Sequence, residues 1–273
     1  MESIHFTLTQ DACILCEACI HDCPSRIIRM VEGFPGILAE DEASCIRCQH
    51  CLAVCPTGAI SILGLNPSDS LPLGDKPEID PDALGRFVRG RRTVRQYRPE
   101  SVDRAVMERL LADTAHAPTG GNTCDLTLTV IDNRPRLVTL LDQVIVAVER
   151  ALQSGAALPE FMADAVRQYR EAQRDDLFRG APHLLIASAG EKAYCGDADV
   201  VIALSYFEFL AHARGLGTMW CDFLKFIFDA VPGTAALFGI PTDRPYRAMV
   251  FGHPAVRYAR TVQRDHAAQV VYG

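Results

Sequence analysis

Eight of the eleven cysteines in this chain fall into two runs of identical spacing. The first run consists of Cys13, Cys16, Cys19 and Cys23. The second run lies 32 positions later and consists of Cys45, Cys48, Cys51 and Cys55. A proline follows the last cysteine of each run, so the pattern C-x2-C-x2-C-x3-C-P occurs twice. Such a repeat indicates that two segments present their thiols in the same way.

Thiolates are soft ligands that suit iron-sulfur clusters and zinc. Two-residue gaps let three cysteines converge from one tight loop, whereas the fourth lies too far along the chain and ligates the other cluster. The spacing therefore predicts one [4Fe-4S] cluster bound by Cys13, Cys16, Cys19 and Cys55. It predicts a second cluster bound by Cys45, Cys48, Cys51 and Cys23. Zinc is the alternative, although four-cysteine zinc sites normally pair two C-x2-C knuckles.

The segment resembles the bacterial two-cluster ferredoxins over residues 4–63. Apolar residues at Ile27-Ile28, Ile37-Leu38 and Ile60 to Ile62 are suited to strands and to dry packing around two clusters. The turn Thr57-Gly58-Ala59-Ile60 follows the second Cys-Pro as it does in such ferredoxins, whereas the first run continues with Ser25-Arg26-Ile27-Ile28.

The chain has 273 residues, which leaves enough sequence beyond the cysteine runs for a second domain with its own core. We expect the first domain at residues 1–65 and the second at 82–273. Between them, residues 66–81 read as a stiff linker, because prolines resist both helix and central strand. The four prolines of this segment are Pro67, Pro72, Pro77 and Pro81.

Charge and apolar patterning limit the class of protein. Residues 1–66 carry eight acidic residues against three arginines, which gives −5 of the total net charge of −7. An acidic cluster domain suits docking to a basic electron-transfer partner and disfavours nucleic-acid binding. No signal segment or membrane span is visible, and the cysteine usage fits a reducing compartment. We therefore expect a cytoplasmic protein with no membrane partner.

Beyond residue 80, segments with helical and strand patterns alternate. Asp80 and Pro81 predict the start of a helix that ends at Gly90, and Ser101 predicts the cap of a helix that runs to Pro118. Further helices are expected at 135–152, 159–175, 197–214 and 224–230. Strands are expected at 126–130, at 184–187, around 219 and at 248–251. The expected fold class is α+β or α/β.

Three arginines and a hydroxyl stand within five residues: Arg91, Arg92, Thr93 and Arg95. Guanidinium groups bind phosphate in a bidentate manner, so this segment is a candidate phosphate site. The stretch Arg91-Arg92-Thr93-Val94-Arg95-Gln96-Tyr97 resembles the R-x-S-x-R-x-F segment of nitroreductase-like flavoproteins. The family's A-P-S-x-x-N, G-L-G-x-x-W and G-[YH]-P segments have counterparts at 117–122, 215–220 and 252–254. Together these stretches span about residues 85–264.

The resemblance implies an α+β domain, with a mainly antiparallel sheet flanked by helices, that binds FMN at a homodimer interface. Arg91, Arg92 and Thr93 would hold the phosphate end, and Arg95 would reach the pyrimidine edge. The partner subunit would supply Pro118, Thr119, Gly120 and Asn122. The ring would lie against Trp220, Cys221 and the amides of Asp222 and Phe223. Arg257 or Arg260 would close on the phosphate.

Clusters transfer single electrons, whereas a flavin can release two electrons as a hydride. A chain that has both would therefore convert one-electron transfer into two-electron transfer. The resemblance implies hydride transfer to a small electrophile such as a nitroaromatic, a quinone or an activated enone. We expect a ferredoxin-type donor in preference to NAD(P)H, because no Rossmann G-x-G-x-x-G motif follows a strand. Alternatives are a dehydrogenase that runs in reverse, an electron carrier or redox sensor, and an oxygen-using enzyme that fragments flavin.

Three cysteines lie outside the runs. Cys195 and Cys221 are expected to be small buried apolar groups. Cys124 stands where the family usually has a glutamine, and the roles of Cys124, Cys195 and His253 are not defined by the sequence.

Overall fold

The computed structural model describes residues 3–74, 79–241, 243–264 and 268–273. The chain divides into two compact units, Met1–Glu78 and Ile79–Gly273. Within the described residues, no helix has both the length and the apolar character needed to cross a bilayer. All eleven cysteines are described, and none of them forms a disulfide.

The described part of the first unit contains six short strands and α-helices. They are β1 (Thr7–Leu8), α1 (Ala18–His21), β2 (Ile28–Val31), β3 (Phe34–Ile37), α2 (His50–Ala53) and β4 (Ile60–Ser61). Strand β1 pairs antiparallel with β4, and β2 pairs antiparallel with β3. Glu32 and Gly33 connect β2 to β3 with φ of 48° and 86°, which is the backbone that a tight two-residue hairpin requires.

The cysteine repeat extends to the backbone. Glu17 has φ 57° and ψ 8°, and Gln49, 32 positions later, has φ 62° and ψ 10°. Each residue directly precedes a single-turn helix, and these helices, α1 and α2, carry Cys19 and Cys51. The two halves share one apolar core, which includes Ile4, Ile27, Ile28, Leu52, Ile60 and Ile62. Neither half therefore has a separate core.

The segment predicted as a linker is partly ordered by local contacts. Asn66 caps a 3-10 turn at Pro67–Asp69, and its side chain accepts a hydrogen bond from the amide of Ser68 at 3.2 Å. Pro77 lies in residues 75–78, outside the described residues. The three-part division at 65/66 and 81/82 stays a prediction.

The second unit contains six helices and four strands in its described part. They are α3 (Pro81–Gly90), α4 (Arg104–Thr114), β5 (Leu126–Ile131), α5 (Arg134–Gln153), α6 (Glu160–Ala172), β6 (His183–Ala189), α7 (Gly196–Ala213), β7 (Gly217–Trp220), α8 (Asp222–Ala230) and β8 (Tyr246–Gly252). Asp80 caps α3 as expected, because its carboxylate accepts from the amide of Ala83 at 2.7 Å.

The expected boundaries of α4 were wrong at both ends. Its cap is Asp103, which accepts from the amides of Ala105 and Val106 at 2.9 and 3.3 Å, and not Ser101. The helix ends at Thr114, before Pro118. A residue that precedes proline is disfavoured in the helical region, so the chain leaves the helix before that position.

The four strands form one antiparallel sheet in the order β5-β6-β8-β7. Strand β6 is buried on both faces. Leu184 and Ile186 belong to a core shared with α5, α6 and α8. Leu185 and Ala187 point the other way, into a core shared with α4 and α7. This arrangement, an antiparallel sheet flanked by helices, confirms the expected α+β class.

Candidate functional site

Each of two cavities in the first unit is lined by four cysteines taken from both runs. One cavity is lined by Cys13, Cys16, Cys19 and Cys55. The other is lined by Cys45, Cys48, Cys51 and Cys23. This grouping matches the partition expected from the spacing, and the assignment of individual ligands stays a prediction. Among the described residues, no three Cys, His, Asp or Glu side chains are close enough together to bind a single metal ion.

The thiols within each group influence one another. Burial, followed by the charges of Cys55 and Cys13, raises the pKa of Cys19 even though local backbone amides oppose the shift. Burial, followed by the charges of Cys48, Cys45 and Cys23, raises the pKa of Cys51 to about 12. Thiols crowded in this way lose their protons when they bind a metal. Four cysteines around one cavity are the ligand set that a [4Fe-4S] cluster requires.

The two cavities differ in the hydrogen bonds that their fourth cysteine receives. The Sγ atom of Cys55 accepts from the amide of Ala59 at 3.2 Å and lies 3.7 Å from the hydroxyl of Thr57. Burial alone would raise the pKa of Cys55, but the hydrogen bonds from Ala59 and Thr57 outweigh it, and the pKa is lowered. The counterpart of Thr57 is Ser25, whose hydroxyl donates instead to the carbonyl of Ser44 at 2.8 Å.

In the second unit, the arginine segment 91–95 lies against β7. The amide of Val94 donates to the carbonyl of Thr218 at 2.9 Å, and Thr93 forms a parallel bridge with the same residue. A Cβ atom at Gly217 would stand only 2.6 to 2.8 Å from three side-chain atoms of Val94. Glycine is therefore required where β7 meets this segment.

One cavity beside this segment is lined largely by cations. Its arginines are Arg89, Arg91, Arg92 and Arg264. Burial lowers the pKa of Arg92, and the like charges of Arg264 and Arg91 lower it further. Positive groups crowded to this degree favour an anionic ligand. Arg264 was not anticipated from the sequence, where it follows the Gly252-His253-Pro254 motif at a distance.

A second cavity lies beside the same segment. Six of the expected residues line it: Thr93, Arg95, Trp220, Cys221, Asp222 and Phe223. Another wall is formed by Asp176 and Arg179, neither of which was predicted from the sequence. The Nε atom of Arg179 is buried without a hydrogen-bond partner among the described residues.

The wall that carries Arg179 is held by its own backbone. The carboxylate of Asp175 accepts from the amides of Leu177, Phe178 and Gly180 at 3.0, 2.8 and 2.8 Å. Arg179 itself has φ 56° and pairs with Asp176 at 2.8 Å. Three amide bonds to one carboxylate stabilise a compact loop, so this wall has a fixed shape.

Glu208 links the arginine segment to β7. This glutamate of α7 is only 7% exposed, and its carboxylate accepts from Arg91 Nη1 at 3.0 Å, Thr218 Oγ1 at 3.2 Å and Trp220 Nε1 at 3.4 Å. Glu208 was not among the residues predicted for the site. Its signal was a lone acid in the apolar stretch Val200 to Leu210, because a buried acid needs partners.

The expected partner-subunit turn lies at the other end of α7. The amide of Gly120 donates to the buried carboxylate of Asp199 at 2.9 Å, and a Cβ atom at Gly120 would stand 2.6 Å from Cys195 Sγ. Asp199 precedes Glu208 by nine residues, or about 14 Å along the helix axis. Neither arginine-bearing cavity is lined by the expected turn residues, which are Pro118, Thr119, Gly120 and Asn122.

The remaining expected residues separate into distinct environments. Arg257 and Arg260 are exposed and line neither cavity. Arg264 lines the arginine-rich cavity instead. Cys221 is buried, its pKa is raised to about 12 by burial, and its Sγ lies 3.5 Å from the carbonyl of Leu177. Its apolar role is thus confirmed, whereas Cys195 was expected to be buried and is exposed at the start of α7.

Comparisons with known proteins cover both units. Residues 12–60 match the model of the 4Fe-4S dicluster domain, and residues 88–253 match the model of the nitroreductase family. The 5,6-dimethylbenzimidazole synthase of Rhodospirillum rubrum is 31% identical over 178 residues, which cover 59% of this chain and 78% of that protein.

Two nitroreductase crystal structures with bound FMN are similar in fold. The structure from Bacteroides fragilis NCTC 9343 has a TM-score of 0.53 at 19% identity and covers 68% of this chain and 97% of its own. The structure from Desulfitobacterium hafniense DCB-2 has a TM-score of 0.54 at 16% identity and covers 71% and 100%. The cysteine-rich segment is therefore a 4Fe-4S dicluster domain and not a zinc site, and the chain as a whole belongs to the nitroreductase family.

Proposed function

We propose that this chain is an iron-sulfur flavoprotein oxidoreductase that takes up single electrons at two [4Fe-4S] clusters and delivers them through FMN to a small electrophile. The observation that carries the proposal is the presence, in one chain, of two cavities lined by four cysteines each and of a nitroreductase domain. Nitroaromatics, quinones and activated enones are the proposed substrate classes.

The residues present fit FMN, which has an anionic phosphate arm and a planar ring system. The cavity with Arg89, Arg92 and Arg264 suits the phosphate, and the cavity with Thr93, Arg95 and Arg179 suits the ring. FMN, when bound, exchanges single electrons for a hydride. A cation such as Arg95 or Arg179 stabilises negative charge on the reduced ring.

The start of α8 supplies neutral donors to the same cavity. Asp222 and Phe223 belong to the first turn of this helix, where backbone amides have no partner within the helix. Such amides can donate to polar atoms of a ring without any particular side chain. Cys221, in contrast, is held protonated by burial and serves as packing.

A homodimer explains the position of the turn at residues 118–122. Within one subunit this turn contacts the first residues of α7, whereas Glu208 and Arg91 meet near the last turns of that helix. The turn would therefore serve the FMN of the partner subunit. Size measurement of the FMN-loaded protein in solution tests this: a monomer with a full complement of FMN would contradict it.

The first experiment determines the cofactors. Protein purified without oxygen should contain two [4Fe-4S] clusters and one FMN per chain when iron, sulfide and flavin are measured. A protein that carries zinc, or one that binds no flavin, would contradict the proposal.

The second experiment tests the electron route. Reduced ferredoxin should reduce the flavin of the wild-type protein, and a Cys13→Ala, Cys45→Ala variant that retains FMN should lose most of this rate. NADPH should be the slower donor for the wild type. Equal rates of ferredoxin-dependent reduction in both proteins would show that the clusters are bypassed, and an equally fast reaction with NADPH would contradict the donor preference.

A second candidate activity is that of the Rhodospirillum rubrum relative. The observation that favours it is 31% identity over 78% of that protein. The test is to expose the reduced, FMN-loaded protein to air and to search the products for 5,6-dimethylbenzimidazole. Formation of this compound would favour the second candidate, whereas turnover of nitroaromatics or quinones alone would favour the first.

A further inference from the structure

Glu208 and Arg91 form a buried ion pair between two segments that line the candidate FMN site. The side chains are 9% and 19% exposed, and the Nη1 and Oε1 atoms are 3.0 Å apart. The same carboxylate also accepts hydrogen bonds from Thr218 and Trp220. Both of these donors are neutral, so loss of the cation Arg91 would leave an uncompensated buried charge on Glu208.

Arg91 and Arg92 are adjacent in sequence, but their charges have different partners. The charge of Arg91 is balanced by Glu208. Arg92 donates from Nε to the carbonyl of Arg91 at 2.6 Å, a neutral partner that leaves its charge unbalanced. Burial lowers the pKa of Arg92, and the like charges of Arg264 and Arg91 lower it further. An anion bound in this cavity would therefore offset the charge repulsion at Arg92.

We propose that Arg91 and Glu208 are a positioning pair that joins the segment 91–95 to β7, and that the cofactor phosphate is bound by Arg92 and Arg264. This inference rests on the proposed function, because it concerns how FMN is held. It gives Arg91 a different role from the one that the family resemblance implies. Arg91 acts through Glu208, and Glu208 in turn fixes the hydroxyl of Thr218 and the indole of Trp220.

The pair can be tested by a double-mutant cycle with a built-in probe. Trp220 is the only tryptophan of the chain and lines the candidate ring cavity, so quenching of its fluorescence reports FMN binding. The variants are Arg91→Gln, Glu208→Gln and their combination, with Arg92→Gln as the matched control one residue away. Each is measured with FMN and with riboflavin, which lacks the phosphate.

In the wild-type background, Arg91→Gln should weaken the binding of both flavins and lower stability, because it strands the carboxylate of Glu208. In the Glu208→Gln background, the same substitution should change FMN affinity by less than about threefold, since the carboxylate that Arg91 would balance is already absent. Arg92→Gln, made in the wild-type protein, should weaken FMN binding by about tenfold or more and leave riboflavin binding unchanged.

The opposite pattern would overturn the inference. If Arg91→Gln weakens FMN binding equally in both backgrounds and spares riboflavin, Arg91 binds the phosphate directly. If the single variant fails to fold, the comparison of Glu208→Gln with the double variant still decides between the two roles. A wild-type protein that binds no FMN would instead contradict the proposed function. In that case, denaturant unfolding of the wild type, Arg91→Gln, Glu208→Gln and the double variant would still measure the coupling between Arg91 and Glu208.

Discussion

The backbone amide of Val102 donates a hydrogen bond to Nε2 of His183 at 2.8 Å. His183 is the first residue of β6, is fully buried and stacks on Phe251 with ring centroids 4.9 Å apart. Because Nε2 is the acceptor, the hydrogen of the neutral imidazole resides on Nδ1. Protonation at Nε2 would turn this acceptor into a donor that faces another donor.

This contact predicts that the second unit loses stability in acid. Burial lowers the pKa of His183 below its ordinary value of 6.5, so the unfolded chain binds a proton that the folded chain resists. Stability should be complete above about pH 6.5 and should fall as the pH decreases toward the lowered pKa. Urea unfolding followed by Trp220 fluorescence measures the effect. His183→Gln should flatten the profile in this range, whereas a substitution of the exposed His116 should not.

The cysteine partition predicts which pairs of substitutions act on one cluster. Cys13→Ala and Cys55→Ala should each remove the same cluster, so the double variant should retain about as much iron as either single variant. Cys13→Ala combined with Cys23→Ala should remove both clusters, because these cysteines line different cavities. Iron and sulfide analysis decides the outcome. The reverse result would mean that each run binds its own cluster.

Thr57 and Ser25 are expected to affect the clusters differently. A hydrogen bond to a ligand sulfur stabilises the added electron and raises the reduction potential. Thr57→Val should therefore lower the potential of the cluster bound by Cys55, whose Sγ lies 3.7 Å from the hydroxyl. Ser25→Ala should leave the other cluster unchanged, since that hydroxyl donates to Ser44. Redox titration followed by electron paramagnetic resonance tests both; equal shifts in the two variants would contradict the expectation.

Substitution of two glycines by alanine should change the stability of the second unit in opposite directions. Gly217→Ala places a methyl group against buried Val94 and should destabilise the second unit by about 1–3 kcal/mol. It should also weaken FMN binding, because it pushes segment 91–95 away from β7. Gly85→Ala lies within α3 with no atom in the way and should stabilise the unit by about 0.5–1 kcal/mol. Thermal unfolding of both variants provides the comparison.

The parts of the molecule that the sequence predicts well depend on local patterns. The cysteine spacing indicates two mixed groups of four. Helix caps and the periodicity of apolar residues together indicate the six α-helices and four strands in the described part of the second unit. The cap of α4 was misassigned because Ser101 and Asp103 are both good caps, and only the path of the chain selects Asp103.

The residues that were missed come from distant parts of the chain. Arg264 and Arg179 reach the arginine segment only through the fold, so no spacing rule connects them to Arg92 or Arg95. Glu208 was visible as a lone acid in an apolar helix, but its partner Arg91 lies 117 positions away. Cys195 was expected to be buried because cysteine is usually a buried residue type, whereas its position at the N-terminal end of α7 leaves it exposed.

The crossed grouping of the cysteines also determines when each group of four is complete as the chain emerges from the ribosome. The group that includes Cys23 is complete once Cys51 has been made, and the group that includes Cys13 is complete once Cys55 has been made. A nascent chain that stops before Cys51 therefore has no complete group of four. The two groups are completed within four residues of each other, although their first members, Cys13 and Cys23, are made much earlier.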